Sequence, residues 1–296
     1  MGNKISCYSN CSESKLEECD LIRSYCSDSC RKSIKTANFH NCSYSKEQND
    51  TWNELVKNTE KKLGVFELDI DIEDIEVPVH SPEGWTYIGQ ISDGLKNGKG
   101  IYIWPDGSKY IGTWENDRVN GFGRLIHADG DAYQGEWVND QAEGKGKYYH
   151  NDGAWYDGEW KADTQHGFGT EHWKNGSYYS GYYKYGLKHG HGSMHWSDGS
   201  EFEGEFYEDN IQGYGVFKWS DGKMYCGQWR FNKMHGKGTL TWSNGEKKYE
   251  GDFCDDKREG FGVLIVGNIK VYEGEWKDGK KCDSYIQSTN ESYTNI

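Results

Sequence analysis

Proline is nearly missing from this sequence, three among 296 residues, whereas glycine reaches 39. Glycine in excess without proline, and without a strict three-residue period, excludes a collagen-like chain. Apolar residues amount to 34 %, and no run of them approaches the roughly 18 residues of a membrane-spanning helix. Positive charge is short as well. Lys and Arg number 34 against 48 Asp and Glu, a net charge of −14, which argues against nucleic-acid binding and its basic patch. What the chain has in excess is aromatic: 13 Trp, 22 Tyr and 10 Phe, a load that separates it from disordered chains.

Glycines and aromatics share one periodicity. An aromatic recurs at Tyr87, Tyr110, Tyr133, Tyr156, Tyr179, Phe202, Tyr225, Tyr249 and Tyr272, at intervals of 23 residues with a single interval of 24. With each aromatic as position zero, glycine stands at +2 in all nine registers. A Gly-x-Gly occupies +11 and +13 in eight, and Asp-Gly or Asn-Gly occupies +19 and +20 in seven. These positions hold 32 of the 39 glycines, so the composition is the imprint of a repeat. Ten of the 13 tryptophans fall at +4, as Trp114 and Trp137 do, or at +17, as Trp104 and Trp173 do.

Within a repeat, 0, +2 and +4 alternate as aromatic, glycine, aromatic, and so share one face of a strand. Positions +13, +15 and +17 repeat that pattern on a second strand, with Leu125, Tyr148, Phe217 and Leu240 at +15. A polar loop of about six residues is expected between them, ending at the Gly-x-Gly, and Asp-Gly is expected to form a two-residue type I′ turn to the next repeat. The glycine at +2 leaves room for a neighbouring indole, having no Cβ. One 23-residue unit cannot bury its aromatic face alone, so successive hairpins must stack. About 17 strands at roughly 4.8 Å each predict a rod-like ribbon on the order of 80 Å long.

The pattern Tyr-x-Gly-x-Trp, Gly-x-Gly, Trp-x-Asp-Gly, as in Tyr110 to Trp114 through Gly121 and Gly123 to Asp129 and Gly130, resembles the MORN repeat (membrane occupation and recognition nexus). The resemblance covers residues 85–281 as eight copies and a terminal half-copy, the eighth departing at Val266-Gly267-Asn268. It implies an all-β fold, an elongated single-sheet antiparallel meander of stacked hairpins. It also implies a scaffold that binds partner proteins, often near membranes, with homodimers a recurrent state.

The face opposite the aromatics is acidic at +1 and +3, with Glu136, Asp157, Glu159, Glu203 and Glu205. Basic residues do not cluster as anionic lipid requires. On the aromatic face Trp114, Trp137, Trp160, Trp173, Trp196 and Trp219 are the candidate lining of a partner-binding groove, since aromatic anchors dominate binding hot spots. Histidines at +10 (His166, His189, His235) and +16 (His172, His195) place imidazoles in adjacent repeats, yet no thiolate or carboxylate completes a metal set in the sequence. No metal site and no cofactor are expected.

The amino terminus carries a separate signal. Met1-Gly2-Asn3-Lys4-Ile5-Ser6 fits the N-myristoylation motif at Gly2. One myristoyl chain binds membrane only marginally, so a second anchor is needed. Cys7 and Cys11 are the candidates for palmitoylation, because Lys4 and Lys15 are the only cations among the first 15 residues. Six of nine cysteines lie before residue 43 with no signal-peptide core ahead of them, which favours a reducing compartment. Thr51-x-x-Glu54 reads as a capping box for a short helix, and Phe66, Leu68, Ile70 and Ile72 alternate with acids as a strand that caps the ribbon.

The expected organisation is a Cys-rich acylated flexible tail over 1–48, a short helix and capping strand over 49–84, repeats over 85–281, and a disordered tail over 282–296. No catalytic constellation is present: no P-loop, no nucleophile elbow, no H-E-x-x-H. The sequence therefore points to a non-enzymatic scaffold on the cytoplasmic face of a plasma, internal or cortical membrane. It would be tethered by acyl chains, dock proteins on its aromatic face and bind no nucleic acid. The alternative is a phosphoinositide-binding module acting through the repeats themselves.

Overall fold

The computed structural model describes residues 46–66 and 79–282. Gly2, Cys7 and Cys11, the alternating residues 67–72 and the tail beyond 282 lie outside the described residues. Among the described residues nineteen strands form one antiparallel sheet in which each pairs with its sequence neighbours, from β1 (Val79–His80) and β2 (Thr86–Ser92) to β18 (Ile269–Lys277) and β19 (Lys280–Lys281). This is the all-β meander of stacked hairpins, with one short strand added at each end.

A typical repeat pairs β4 (Lys109–Glu115) with β5 (Arg118–Ile126). Here the two expected turns exchange roles. The predicted six-residue loop is a two-residue turn, Asn116-Asp117, with φ of 48° and 65°, and such paired positive values are what a type I′ turn needs. The Gly-x-Gly therefore lies inside the second strand. The Asp-Gly instead belongs to a three-residue loop, in which Gly107 N–H donates to Trp104 O at 3.0 Å with φ of 88°. The reason is in the side chains. Asp106 accepts the Ser108 N–H within its own loop (2.9 Å), an Asx bond. The residue at +7 reaches back to the previous hairpin: Asp117 accepts Lys96 N–H (2.9 Å), Asp140 accepts Val119 N–H (2.7 Å) and Asp163 accepts Ala142 N–H (2.7 Å). Turn is thereby stacked on turn.

The space above the glycines also has a different occupant from the one the sequence suggests. The Tyr110 ring, not a neighbour's indole, lies over Gly112 and Gly123 of its own hairpin, which pair directly across the strands. A Cβ on Gly123 would meet Tyr110 Cζ and Cε2 at 2.5 and 2.6 Å. The ring folds along the strand because its hydroxyl donates to Thr113 O (3.2 Å), as Tyr133 does to Glu136 O (3.0 Å). Indoles then fill the gaps between tyrosines. Tyr110 meets Trp114 and Trp137 edge-on at 5.2 and 5.7 Å, and Tyr133 meets Trp137 and Trp160 at 4.9 and 5.2 Å. Trp137 Nε1 donates to Gly123 O of the preceding repeat (3.3 Å). This herringbone continues to Tyr272 and Trp276 (5.3 Å). Each edge-on pair contributes about 0.5–1.5 kcal/mol beyond its burial, so the aromatic face is in large part its own core.

Helix α1 (Lys46–Leu63) begins ahead of Thr51, which lies within it, so the expected capping box does not open the helix. It packs on the face opposite the aromatics, where Val56, Ile126 and Ala132 are buried together against Leu63 and Tyr149. Around them Lys109 Nζ pairs with Glu60 (2.6 Å), Arg124 Nη1 donates to Gly64 O (2.7 Å) and Phe66 stacks on Phe122 (5.8 Å). Ile126 and Ala132 stand at +16 and −1 on adjacent strands, and this local apolar patch is what the helix covers.

Candidate partner-docking surface

The six tryptophans proposed from the sequence divide by strand position. Trp114, Trp137 and Trp160, at +4, are 6 %, 2 % and 5 % exposed. They fill the gaps between tyrosines and present little surface to a partner. The other three stand at +17, the last residue before the Asp-Gly loop. Trp173 and Trp219 are half-buried there, and Trp196 is 8 % exposed. With Trp104 and Trp242, also half-buried, they form a row of indoles along the rim of the aromatic face.

The rim is organised by contacts within and between repeats. Phe217 bridges Trp196 and Trp219 at 5.1 and 4.6 Å. Lys188, Lys223 and Lys247 place ammonium groups 5.0, 4.1 and 4.3 Å from the Trp173, Trp219 and Trp242 rings. Cation–π attraction of this kind contributes about 0.5–1 kcal/mol at exposed sites and holds the indoles in place.

Glu171 interrupts this face and sequence reasoning passed over it. It occupies +15, where Leu125, Tyr148 and Phe217 stand in other repeats, and is 3 % exposed. Tyr183, which takes a +4 tryptophan's place, donates its hydroxyl to Glu171 Oε2 (2.9 Å), and Lys188 Nζ lies 3.9 Å from the same oxygen. Burial, then the charge of Glu171, pushes the Tyr183 phenol well above its ordinary range. The signal was available in the register: an acid at an apolar position, with tyrosine for tryptophan in the next copy.

On the opposite face the acids at +3 have structural work. The bulge made by the Gly-x-Gly frees the N–H at +12, and the +3 side chain accepts it. Glu136 takes Lys145 N–H (3.1 Å), Glu159 takes Phe168 N–H (3.2 Å) and Gln228 takes Lys237 N–H (2.9 Å). His172 and His195, candidates for metal in the sequence, sandwich Tyr178 instead, at 5.0 and 4.3 Å between ring centroids with nearly parallel planes. Burial and the nearby Lys147 charge lower the His172 pKa. Trp155 extends the stack, 4.1 Å from His172. Among the described residues no helix is long and apolar enough to cross a membrane.

Comparison with protein families matches the MORN repeat to residues 87–109, 110–132, 133–155, 156–178, 179–201, 202–224, 225–247, 249–265 and 272–282. No curated protein matches the chain. Among solved structures, the SAS-4 TCP domain of Drosophila melanogaster, in complex with a proline-rich motif of Ana2, is similar at 14 % identity and TM-score 0.33, over 63 % of this chain and 96 % of that one. The E1021V mutant of the TCP10 domain of Danio rerio CPAP aligns at 11 % identity and TM-score 0.23, over 60 % of this chain and 94 % of that one. A streptogramin B lyase aligns at 13 % identity and TM-score 0.15, over 72 % and 86 %. Scores this low carry no argument about function.

Proposed function

The chain belongs to the MORN-repeat family, and on that premise we propose that it is a non-enzymatic scaffold, held at the cytoplasmic face of a membrane by acylation, that docks proteins along the +17 indole row. The observation that carries the docking role is the division of labour among the tryptophans. Those at +4 are consumed by the fold, whereas Trp173 and Trp219 keep part of each ring at the surface beside a lysine. Such half-buried, held aromatics are suited to anchoring a partner. The tether rests on Gly2, with Ser6 at the favoured position and Cys7 and Cys11 following. Two acyl chains give stable attachment where one does not.

The test uses the full chain made in cells that acylate it. Gly2→Ala with Cys7→Ser is expected to release it from membranes and abolish flotation with liposomes. Trp173→Ala with Trp219→Ala is expected to leave flotation intact and lose the captured partner. If the Gly2→Ala, Cys7→Ser chain floats with phosphoinositide liposomes as well as the acylated one, the tether is wrong and the repeats bind lipid directly.

A further inference from the structure

The sequence offers histidines without a completing thiolate or carboxylate. The lateral stacking of repeats supplies both at one place. His235, at +10 of the seventh repeat, lies on β15 (Lys233–Thr241), while Cys254 and Asp255 enter the turn between β16 (Lys247–Cys254) and β17 (Lys257–Val266). The imidazole, the Cys254 Sγ and a carboxylate oxygen of Asp255 all lie within 4.8 Å of one another. His235 Nδ1 is buried and makes no hydrogen bond, with the Asp255 carboxylate 3.7 Å away.

We propose that His235, Cys254 and Asp255 form a zinc-binding site that ties the seventh repeat to the eighth. Imidazole and thiolate select a borderline or soft ion over calcium or magnesium, and Zn²⁺ takes nitrogen, sulfur and oxygen in a tetrahedron with Zn–S near ~2.3 Å and Zn–N near ~2.0 Å. Those bond lengths set donors roughly 3.5 Å apart, a separation reached by rotating Cys254 and Asp255, both exposed. The backbone is already fixed. Asp256 Oδ1 accepts Met234 N–H (2.8 Å) and Asp256 N–H donates to Met234 O (3.0 Å), which locks the turn beside His235. Arg230, 3.4 Å from Asp255, is the competing cation. It is half exposed, and such pairs contribute only about 0–1 kcal/mol. Binding displaces the Cys254 thiol proton to solvent. Three protein ligands leave a fourth position for water or a partner's donor, and His235 also lines a cleft of about 420 Å³ with Glu205, Tyr214 and Gln228.

His166 is an internal control. It holds the same +10 position and its Nδ1 is likewise unpaired, but the facing turn brings Lys184 and the Tyr185 ring, 5.7 Å from the imidazole. Cobalt(II), whose thiolate bond absorbs in the near ultraviolet, is the probe, titrated into the reduced full chain and displaced by zinc. Cys254→Ser is expected to remove one thiolate's absorption, and His235→Ala to weaken that component at least about tenfold although Cys254 remains. His166→Ala is expected to change nothing. Far-ultraviolet circular dichroism checks that each variant is folded. Identical titrations for wild type, Cys254→Ser and His235→Ala would place all the cobalt on other cysteines of the chain and overturn the proposal. So would a loss confined to Cys254→Ser.

Discussion

Replacing Gly123 by alanine tests the packing on which the ribbon depends. Gly123 has ordinary strand backbone, and the three atoms nearest its added Cβ all belong to the Tyr110 ring, Cζ and Cε2 at 2.5 and 2.6 Å and the hydroxyl nearer still. Real Cβ atoms do not approach so closely, so the ring must move. It has nowhere to go. Trp114 and Trp137 hold its edges at 5.2 and 5.7 Å, and its hydroxyl is bonded to Thr113 O. Overpacking of a held core typically costs 1–3 kcal/mol, and with the ring pinned on three sides the expected loss is about 3 kcal/mol. Tyr110→Ala alone should cost a similar or larger amount, about 3–5 kcal/mol. In the double variant the clash with the Tyr110 ring is gone, so the two losses should fall short of their sum by at least about 1.5 kcal/mol. Urea unfolding followed by tryptophan fluorescence reads all four corners of the cycle. Additive losses, or a Gly123→Ala cost below about 0.5 kcal/mol, would falsify the assignment of that space to Tyr110.

Other expectations concern the bonds between repeats and the helix. Asp140→Ala strands the Val119 N–H and should cost about 1–2 kcal/mol, whereas Asp152→Ala, which loses an exposed bond within its own loop, should cost about 0.5 kcal/mol; thermal melts compare them. Burial would raise the pKa of Asp131, but bonds from His150, Asn151 N–H and Tyr148 outweigh it and bring it down to about 2. A carboxyl depressed on folding stabilises above its unfolded pKa and loses that stabilisation as pH falls, so about 1–2 kcal/mol should disappear between pH ~4 and ~2. Asp131→Asn should remove that part of the acid limb, and an unchanged limb would count against the bonding. Val56→Asp sets a charge against Ile126 and should disfavour docking of α1 by roughly 3 kcal/mol; trypsin should then cut at Lys57, Lys61 and Lys62 while the sheet's circular dichroism persists. Protection equal to wild type would mean the helix is held by something else.

Much of the architecture was legible because it is local and repeated. Side chains alternate along a strand, so Tyr110, Gly112 and Trp114 had to share a face, and a period of 23 had to stack hairpins. The two turn types were not legible. Asp-Gly is the stronger local signal for a two-residue turn, but Asn116-Asp117 holds that place because Asp117 bonds to Lys96 in the previous hairpin. Which of the candidate groove tryptophans keep exposed surface was not legible for the same reason. Composition marks Trp137 and Trp219 alike, and only packing decides that one is interior and the other on the rim.

The sequence by itself determined the repeat, its register and the face on which its recurring aromatics lie. The tertiary structure decided what lies beside what across the strands. It set Tyr110 over Gly123, α1 over Ile126, and Cys254 and Asp255 beside His235. These choices depend on side chains 13 or more residues apart in sequence that the fold brings together, and a 23-residue period records which positions recur without recording which of them touch.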